Sequence, residues 1–140
     1  MENTQNQPNL APKMIFCDID GTLIDDKNVI SPIAIKGLQD LINNHSDFHF
    51  ALISGRAVAH EKYFYSQLGL KPTGFLIGNN GSQIYRLRDD KVIAQWHLPA
   101  NVAQAIYNEV KLLDKQSGKI SMLVSYSDEP LAYVYRPDDS

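Results

Sequence analysis

The chain has 140 residues, and 13 Lys and Arg against 16 Asp and Glu leave a net charge of −3. That length normally means one domain, and the slightly acidic balance excludes binding driven by a basic surface, to nucleic acid or to an anionic membrane. Hydrophobic residues at 44% and charged residues at 21% are ordinary for a soluble globular protein, and no apolar run approaches the ~20 residues needed to cross a bilayer.

Residues 1–13 are polar, rich in Asn, Gln and Pro, and read as a disordered tail. They lack the charged start and apolar stretch of a signal peptide. Met14-Ile15-Phe16-Cys17 is a continuous apolar run ending at Asp18, which predicts a strand buried on both faces of a parallel sheet. Cys17 is the sole cysteine, so no intrachain disulfide forms. A buried, inert thiol in a reducing, cytoplasmic compartment is expected.

A polar, turn-rich stretch leads to Ser31-Pro32, a cap and first-turn pair that opens a helix. Ile35, Leu38, Leu41 and Ile42 share one face of it, and Asn43-Asn44-His45 ends it. Phe48 to Ile53 predicts a second strand, stopping at Ser54-Gly55-Arg56. A helix over 57–68 follows, with Gly69 as terminator. Phe75-Leu76-Ile77 is a third short strand, ending at Gly78-Asn79-Asn80-Gly81. Strand and helix alternating with short links predict a parallel α/β sheet with right-handed crossovers. The pattern then changes. Strands over 82–87 and 91–98, a helix from Pro99 closed by Gly118, and strands over 120–125 and 131–135 read as a small α+β layer.

Three polar clusters directly follow the three parallel-type strands: Asp18-Ile19-Asp20-Gly21-Thr22, Ser54-Gly55-Arg56 and Gly78-Asn79-Asn80-Gly81. In an open parallel sheet, ligands bind beyond the carboxyl ends of the strands. Two carboxylates two residues apart repel, which a cation or a proton relieves. Hard oxygen ligands at a phosphate site suggest Mg²⁺. Gly21 permits a tight turn that exposes N–H groups to an anion, and Thr22 and Ser54 offer hydroxyls. A calcium loop starting at Asp18 is excluded, because its sixth and twelfth positions hold Leu23 and Val29. Asp25 and Asp26 read as a solvated turn. His45 and His49 stand four apart, but no continuous helix is predicted across them, and His60 and His97 have no His or Cys partner nearby in the sequence.

The string Met14 to Ile24, M-I-F-C-D-I-D-G-T-L-I, is similar to the signature of the haloacid dehalogenase-like (HAD) superfamily. Ile30-Ser31-Pro32, Ala51-Leu52-Ile53-Ser54-Gly55-Arg56 and Asn80-Gly81-Ser82-Gln83-Ile84-Tyr85 resemble its Cof-type branch, in the family's order and spacing. The resemblance implies a Rossmann-like core over 14–85 and part of an inserted α+β cap over 86–140. It implies a Mg²⁺-dependent phosphatase of small phosphorylated metabolites. Asp18 is then the nucleophile that forms an aspartyl-phosphate, and Asp20 the general acid and base. The Asp18 side chain and the Asp20 carbonyl hold Mg²⁺. Thr22 orients Asp20, and Ser54 and Gly55 bind the phosphoryl group. Arg56 and Asn80 are candidate substrate-binding residues, with a structural ion pair as the other reading of Arg56.

The family's third motif, a Lys, and its fourth, a Gly-Asp-x-x-x-Asp string, have no counterpart here. Lys111, Lys115 and Lys119 fall in or near the cap helix, and Asp138-Asp139 lacks the preceding strand and Gly. The chain is therefore expected to be truncated relative to the family. Its alternative is a catalytically inactive fragment, or a subunit that self-associates or needs a complementing C-terminal half. In the family the first strand is central, so here it is expected to be an open edge. A phospho-acceptor of the receiver kind needs an Asp after a later strand, where Gly78-Asn79-Asn80 stand instead.

Overall fold

The computed structural model describes residues 13–45, 47–117, 122–125 and 132–135. Residues 1–12 of the expected tail over 1–13, the terminator Gly118, the turn at 127–130 and the terminal residues 136–140 lie outside them, while Lys13 belongs to the first strand.

Strand β1 (Lys13–Asp18) starts one residue earlier than the apolar run suggests, and Lys13 pairs with Asp47 at 3.5 Å. Helix α1 (Pro32–Asn44) opens as its sequence dictates. The Ser31 hydroxyl accepts from the Ile33 N–H at 3.3 Å, and Pro32 occupies the first turn. Strand β2 (Phe48–Ile53), helix α2 (Val58–Gln67) and strand β3 (Phe75–Gly78) follow. A 3₁₀ turn (Asn79–Gly81) leads into β4 (Gln83–Arg86), and a second (Leu87–Asp89) joins it to β5 (Lys91–Gln95). Helix α3 (Ala100–Ser117) and a two-stranded antiparallel sheet of β6 (Met122–Ser125) and β7 (Ala132–Tyr135) complete the described elements.

The first five strands form one sheet in the order β1-β2-β3-β4-β5. Pairing is parallel across β1, β2 and β3, then antiparallel through β4 and β5. The sheet therefore runs on past residue 85, and β5 belongs to it. A clip holds this hairpin to α2. Lys62 Nζ donates to the Tyr85 hydroxyl at 2.7 Å and pairs with Asp90 at 3.2 Å, while that hydroxyl also donates to Asp90.

Two right-handed crossovers that step the same way across a sheet leave both helices on one face. The core shows this. Phe50, Leu52, Leu76 and Tyr85 pack with Val58, Phe64, Tyr65 and Leu68 of the α2 segment, while Ile35, Leu38 and Ile42 of α1 join Ile15 and Cys17 at the margin. Side chains alternate along a strand, so Met14 and Phe16 point the other way. They are 40% and 55% exposed, and Ile53 on the same face is 38% exposed. The expectation of a strand buried on both faces is thus corrected. Among the described residues β1 is an edge strand with one apolar face open, and Cys17 is half-buried rather than buried. Burial raises its thiol, helped by the neighbouring Asp18 charge.

Candidate active site

The parallel register sets Asp18 beside Ile53 and Ile53 beside Ile77. All three strands therefore end at one line, and the residues after them meet at one edge of the sheet. Main-chain bonds knit the second and third clusters together. Ser54 N donates to Ile77 O at 3.1 Å, Asn80 N to Ser54 O at 3.1 Å, and Asn79 N to Arg56 O at 2.7 Å. Asn79 and Asn80 both take left-handed backbone angles, φ of 54° and 55°, a conformation Asn tolerates better than other side chains.

Two glycines make this approach possible. A Cβ on Gly55 would stand 2.9 Å from Asn80 Oδ1. A Cβ on Gly78 would stand 2.9 Å from both the Arg56 carbonyl oxygen and the Val58 nitrogen. The second obstruction is backbone and cannot swing aside. Gly78→Ala is expected to cost about 1–3 kcal/mol through overpacking, and to shift the Asn79 and Asn80 amides. Urea unfolding and an amide NMR spectrum would check this, and an unchanged midpoint would show that the seam is looser than the geometry states.

After β1 the chain turns at Gly21, where φ is +73°. The N–H groups of Thr22, Leu23 and Ile24 all donate to Ile19 O, at 3.3, 3.0 and 3.1 Å. The tight turn was expected to present N–H groups to an anion. The Thr22 N–H is instead used internally, which leaves its hydroxyl as the group it offers. This stretch looked merely polar and turn-rich in sequence, yet Ile19, Leu23, Ile24 and Ile30 anchor it in the core. Asp25 closes it, its carboxylate accepting from Lys27 N and Val29 N, both at 2.9 Å. A depression of about 480 Å³ beside this loop is lined by Thr22, Leu23, Ile24, Asp25, Val29, Ser31 and Pro32. Of the candidate residues it takes in Thr22 alone, so it is not where the carboxylates converge.

The charge on Asp20 is answered from within the chain. Arg56 Nε donates to Asp20 Oδ2 at 2.8 Å, and Nη2 to Oδ1 at 2.5 Å. Nη2 also reaches Asn28 Oδ1 at 3.4 Å, and the guanidinium lies 5.2 Å from the Phe64 ring centroid. These hydrogen bonds hold the Asp20 carboxyl below the usual carboxylate range and raise Arg56. The side chains of Asp20 and Arg56 are 54% and 31% exposed, so solvent screens much of the pair. Of the two readings of Arg56, the ion pair is the one present, and Asp20 is its partner. No described residue donates a hydrogen bond to the Asp18 carboxylate. Ser54 is buried, and its Oγ accepts from Arg56 N at 3.1 Å, leaving its own O–H to donate elsewhere. Gly55 and Asn80 are exposed beside it.

Among the described residues no three of His, Cys, Asp or Glu stand together as a metal-binding group. The donor chemistry at this edge nevertheless suits a hard cation: the Asp18 carboxylate stands at the end of β1. Mg²⁺ keeps several waters and needs only one or two protein carboxylates together with substrate phosphate, so these residues fit it as a partial shell.

One residue escaped sequence reasoning altogether. Glu61 lies in the first turn of α2 and is fully buried, and neither carboxylate oxygen has a partner of normal hydrogen-bond geometry among the described residues. Burial drives its carboxyl up from its ordinary 4.5 to about 8, against a weaker pull from the Ile77 main chain. A helical face of otherwise apolar residues was the signal that could have found it.

Comparison with known proteins agrees with this arrangement. A family model described as haloacid dehalogenase-like hydrolase matches residues 15–136. A protein of Buchnera aphidicola subsp. Acyrthosiphon pisum named "Putative phosphatase" is 33% identical over 104 residues, covering 74% of this chain and 36% of that protein. Another so named, from Mycoplasma pneumoniae, is 30% identical over 77 residues, covering 52% of this chain and 26% of its own length. The chain thus spans about a third or less of the curated relatives it matches. A solved haloacid dehalogenase-like hydrolase of Bacteroides thetaiotaomicron superposes with a TM-score of 0.65 at 24% identity, over 81% of this chain and 40% of that one. No helix among the described residues is long and apolar enough to cross a membrane. Since the family model spans nearly all of the sheet and all three polar clusters, the chain belongs to the haloacid dehalogenase-like hydrolases.

Proposed function

We propose that this chain carries the nucleophile half of a Mg²⁺-dependent phosphatase acting on small phosphorylated metabolites in the cytoplasm. The observation that supports the reading is the shared end line of β1, β2 and β3, where Asp18 pairs with Ile53, the residue before Ser54 and Gly55. Asp18, with no described donor on its carboxylate, is the group able to attack phosphorus and form an aspartyl-phosphate. Ser54 and Thr22 donate hydroxyl hydrogens to the phosphoryl oxygens, and the Gly55 N–H stands beside Ser54. Asp20 protonates the leaving oxygen and then activates water. The Asp18 carboxylate and the Asp20 carbonyl would hold Mg²⁺, which when bound neutralises charge that repels the attacking carboxylate.

Hydrolysis of p-nitrophenyl phosphate tests this, with and without Mg²⁺. It would be measured on the chain alone and on the chain mixed with the remaining half of a longer relative. Mg²⁺-dependent turnover is the expected result for the mixture, and little for the chain alone, because positioning and charge neutralisation supply most phosphoryl-transfer catalysis. Absence of turnover in both would favour the second reading, a catalytically inactive fragment.

The open β1 edge supports the need for a partner, since an unpaired apolar strand invites association. Lying on the exposed face, Phe16 makes no call on the described core. Phe16→Glu is expected to leave the unfolding free energy within about 0.5 kcal/mol of the parent. It should also lower concentration-dependent association in light scattering. Equal association of parent and variant would remove this face as its cause.

A further inference from the structure

We infer that Arg56 is an exchange residue: its guanidinium fork holds the Asp20 carboxylate until an anion enters, and the anion then takes the fork and releases Asp20. The inference rests on the roles proposed above for Asp20 and for the donors around Ser54. Both oxygens of Asp20 are engaged by one guanidinium, at 2.5 and 2.8 Å. A carboxylate held at both oxygens cannot turn toward a leaving oxygen, so the observed pairing and the proposed work of Asp20 exclude each other at any one moment. Something must break the pair when substrate arrives.

The base of Arg56 is fixed while its fork is not. Its N–H is held by Ser54 Oγ at 3.1 Å and its carbonyl by the Asn79 N–H at 2.7 Å. The guanidinium rests over the Phe64 ring, a contact that survives rotation of the fork in its own plane. A guanidinium edge fits two oxygens of a phosphate as well as two of a carboxylate. The residue stands next to Ser54 and Gly55, the donors expected to receive the phosphoryl group. The pair is also exposed at both partners, and exposed ion pairs are weak enough for a doubly charged anion to displace. Arg56 therefore positions Asp20 in the empty site and binds anion in the filled one. Proton transfer is thereby withheld until substrate is present.

The test is an NMR titration of the full chain with inorganic phosphate at constant pH and ionic strength. It follows the Ser54 and Gly55 amides, the Arg56 side-chain Nε–H and the Asp20 carboxyl carbon. All four are expected to move on one saturating curve. Arg56→Lys keeps the charge and loses the fork, and should weaken phosphate about tenfold while leaving the Asp20 carbon still. Asp20→Asn removes the competitor and should tighten phosphate in the parent, with most of that gain lost when Arg56 is already Lys. If the amides saturate while Arg56 Nε–H and the Asp20 carbon stay put, the exchange is overturned and the phosphate site stands. If the Ser54 and Gly55 amides show no saturable shift, both fall.

Discussion

Glu61→Leu is expected to stabilise the chain, and to do so more strongly as pH rises. A buried carboxyl without a hydrogen-bond partner costs about 1–3 kcal/mol even when protonated, which is the gain expected near pH 5. Above that, ionisation adds to it. Glu61 binds its proton in the folded state up to about pH 8 and releases it near 4.5 when unfolded. Between those values the folded state holds more protons than the unfolded one, so raising the pH favours unfolding. The contribution is fully present below 4.5 and is lost as pH climbs through 8. At about 1.4 kcal/mol per pH unit, the whole span amounts to roughly 5 kcal/mol. That is a large part of the 5–15 kcal/mol typical of a domain.

Urea unfolding at pH 5 and pH 8.5 reads the effect as a midpoint difference between parent and variant that widens with pH. Glu61→Gln separates the two causes. It removes the ionisation, and hence the pH dependence, yet leaves a buried polar group. A difference between parent and Leu variant that stays constant with pH would mean that water reaches Glu61. Asp20 acts in the opposite sense and at lower pH. Its carboxyl is held low by Arg56, so its contribution is present above the unfolded value and is lost as pH falls through the folded one. Its exposure keeps that contribution small.

The second large effect concerns the chemistry. In whichever form hydrolyses a phosphate monoester, Asp18→Asn should remove turnover to the limit of detection, at least about 10³-fold, because the amide cannot form the covalent intermediate. Asp20→Asn should cost far less with p-nitrophenyl phosphate than with an alkyl phosphate, since a good leaving group needs little help from a general acid. The variants would be compared by kcat on both substrate types. Equal losses for Asp20→Asn on the two would remove it as the acid. Turnover that persists in Asp18→Asn would move the nucleophile elsewhere.

Several of these features were legible in the sequence, and for local reasons. Ser31-Pro32 marked the start of α1 because capping needs only neighbouring atoms. The run 48–53 marked β2, whereas the change of pattern after residue 81 suggested a separate α+β layer and β4 and β5 instead continue the first sheet in antiparallel pairing. That three polar clusters share one sheet edge followed from strands running in parallel. What the sequence could not settle is what sets distant residues against each other. The apolar run at β1 looked buried on both faces. Composition does not say that both crossovers step the same way, and only the topology left Phe16 in the open. The acidic pair called for a cation or a proton, yet a residue 36 positions away supplied the counter-charge to Asp20. Glu61 shares a helical face with Val58, Phe64, Tyr65 and Leu68, but that face becomes the inside only when α2 docks on the sheet. Local propensity and spacing determined the elements and their edge. The partner of Asp20 and the surroundings of Phe16 and Glu61 were decided by packing between segments far apart in the chain.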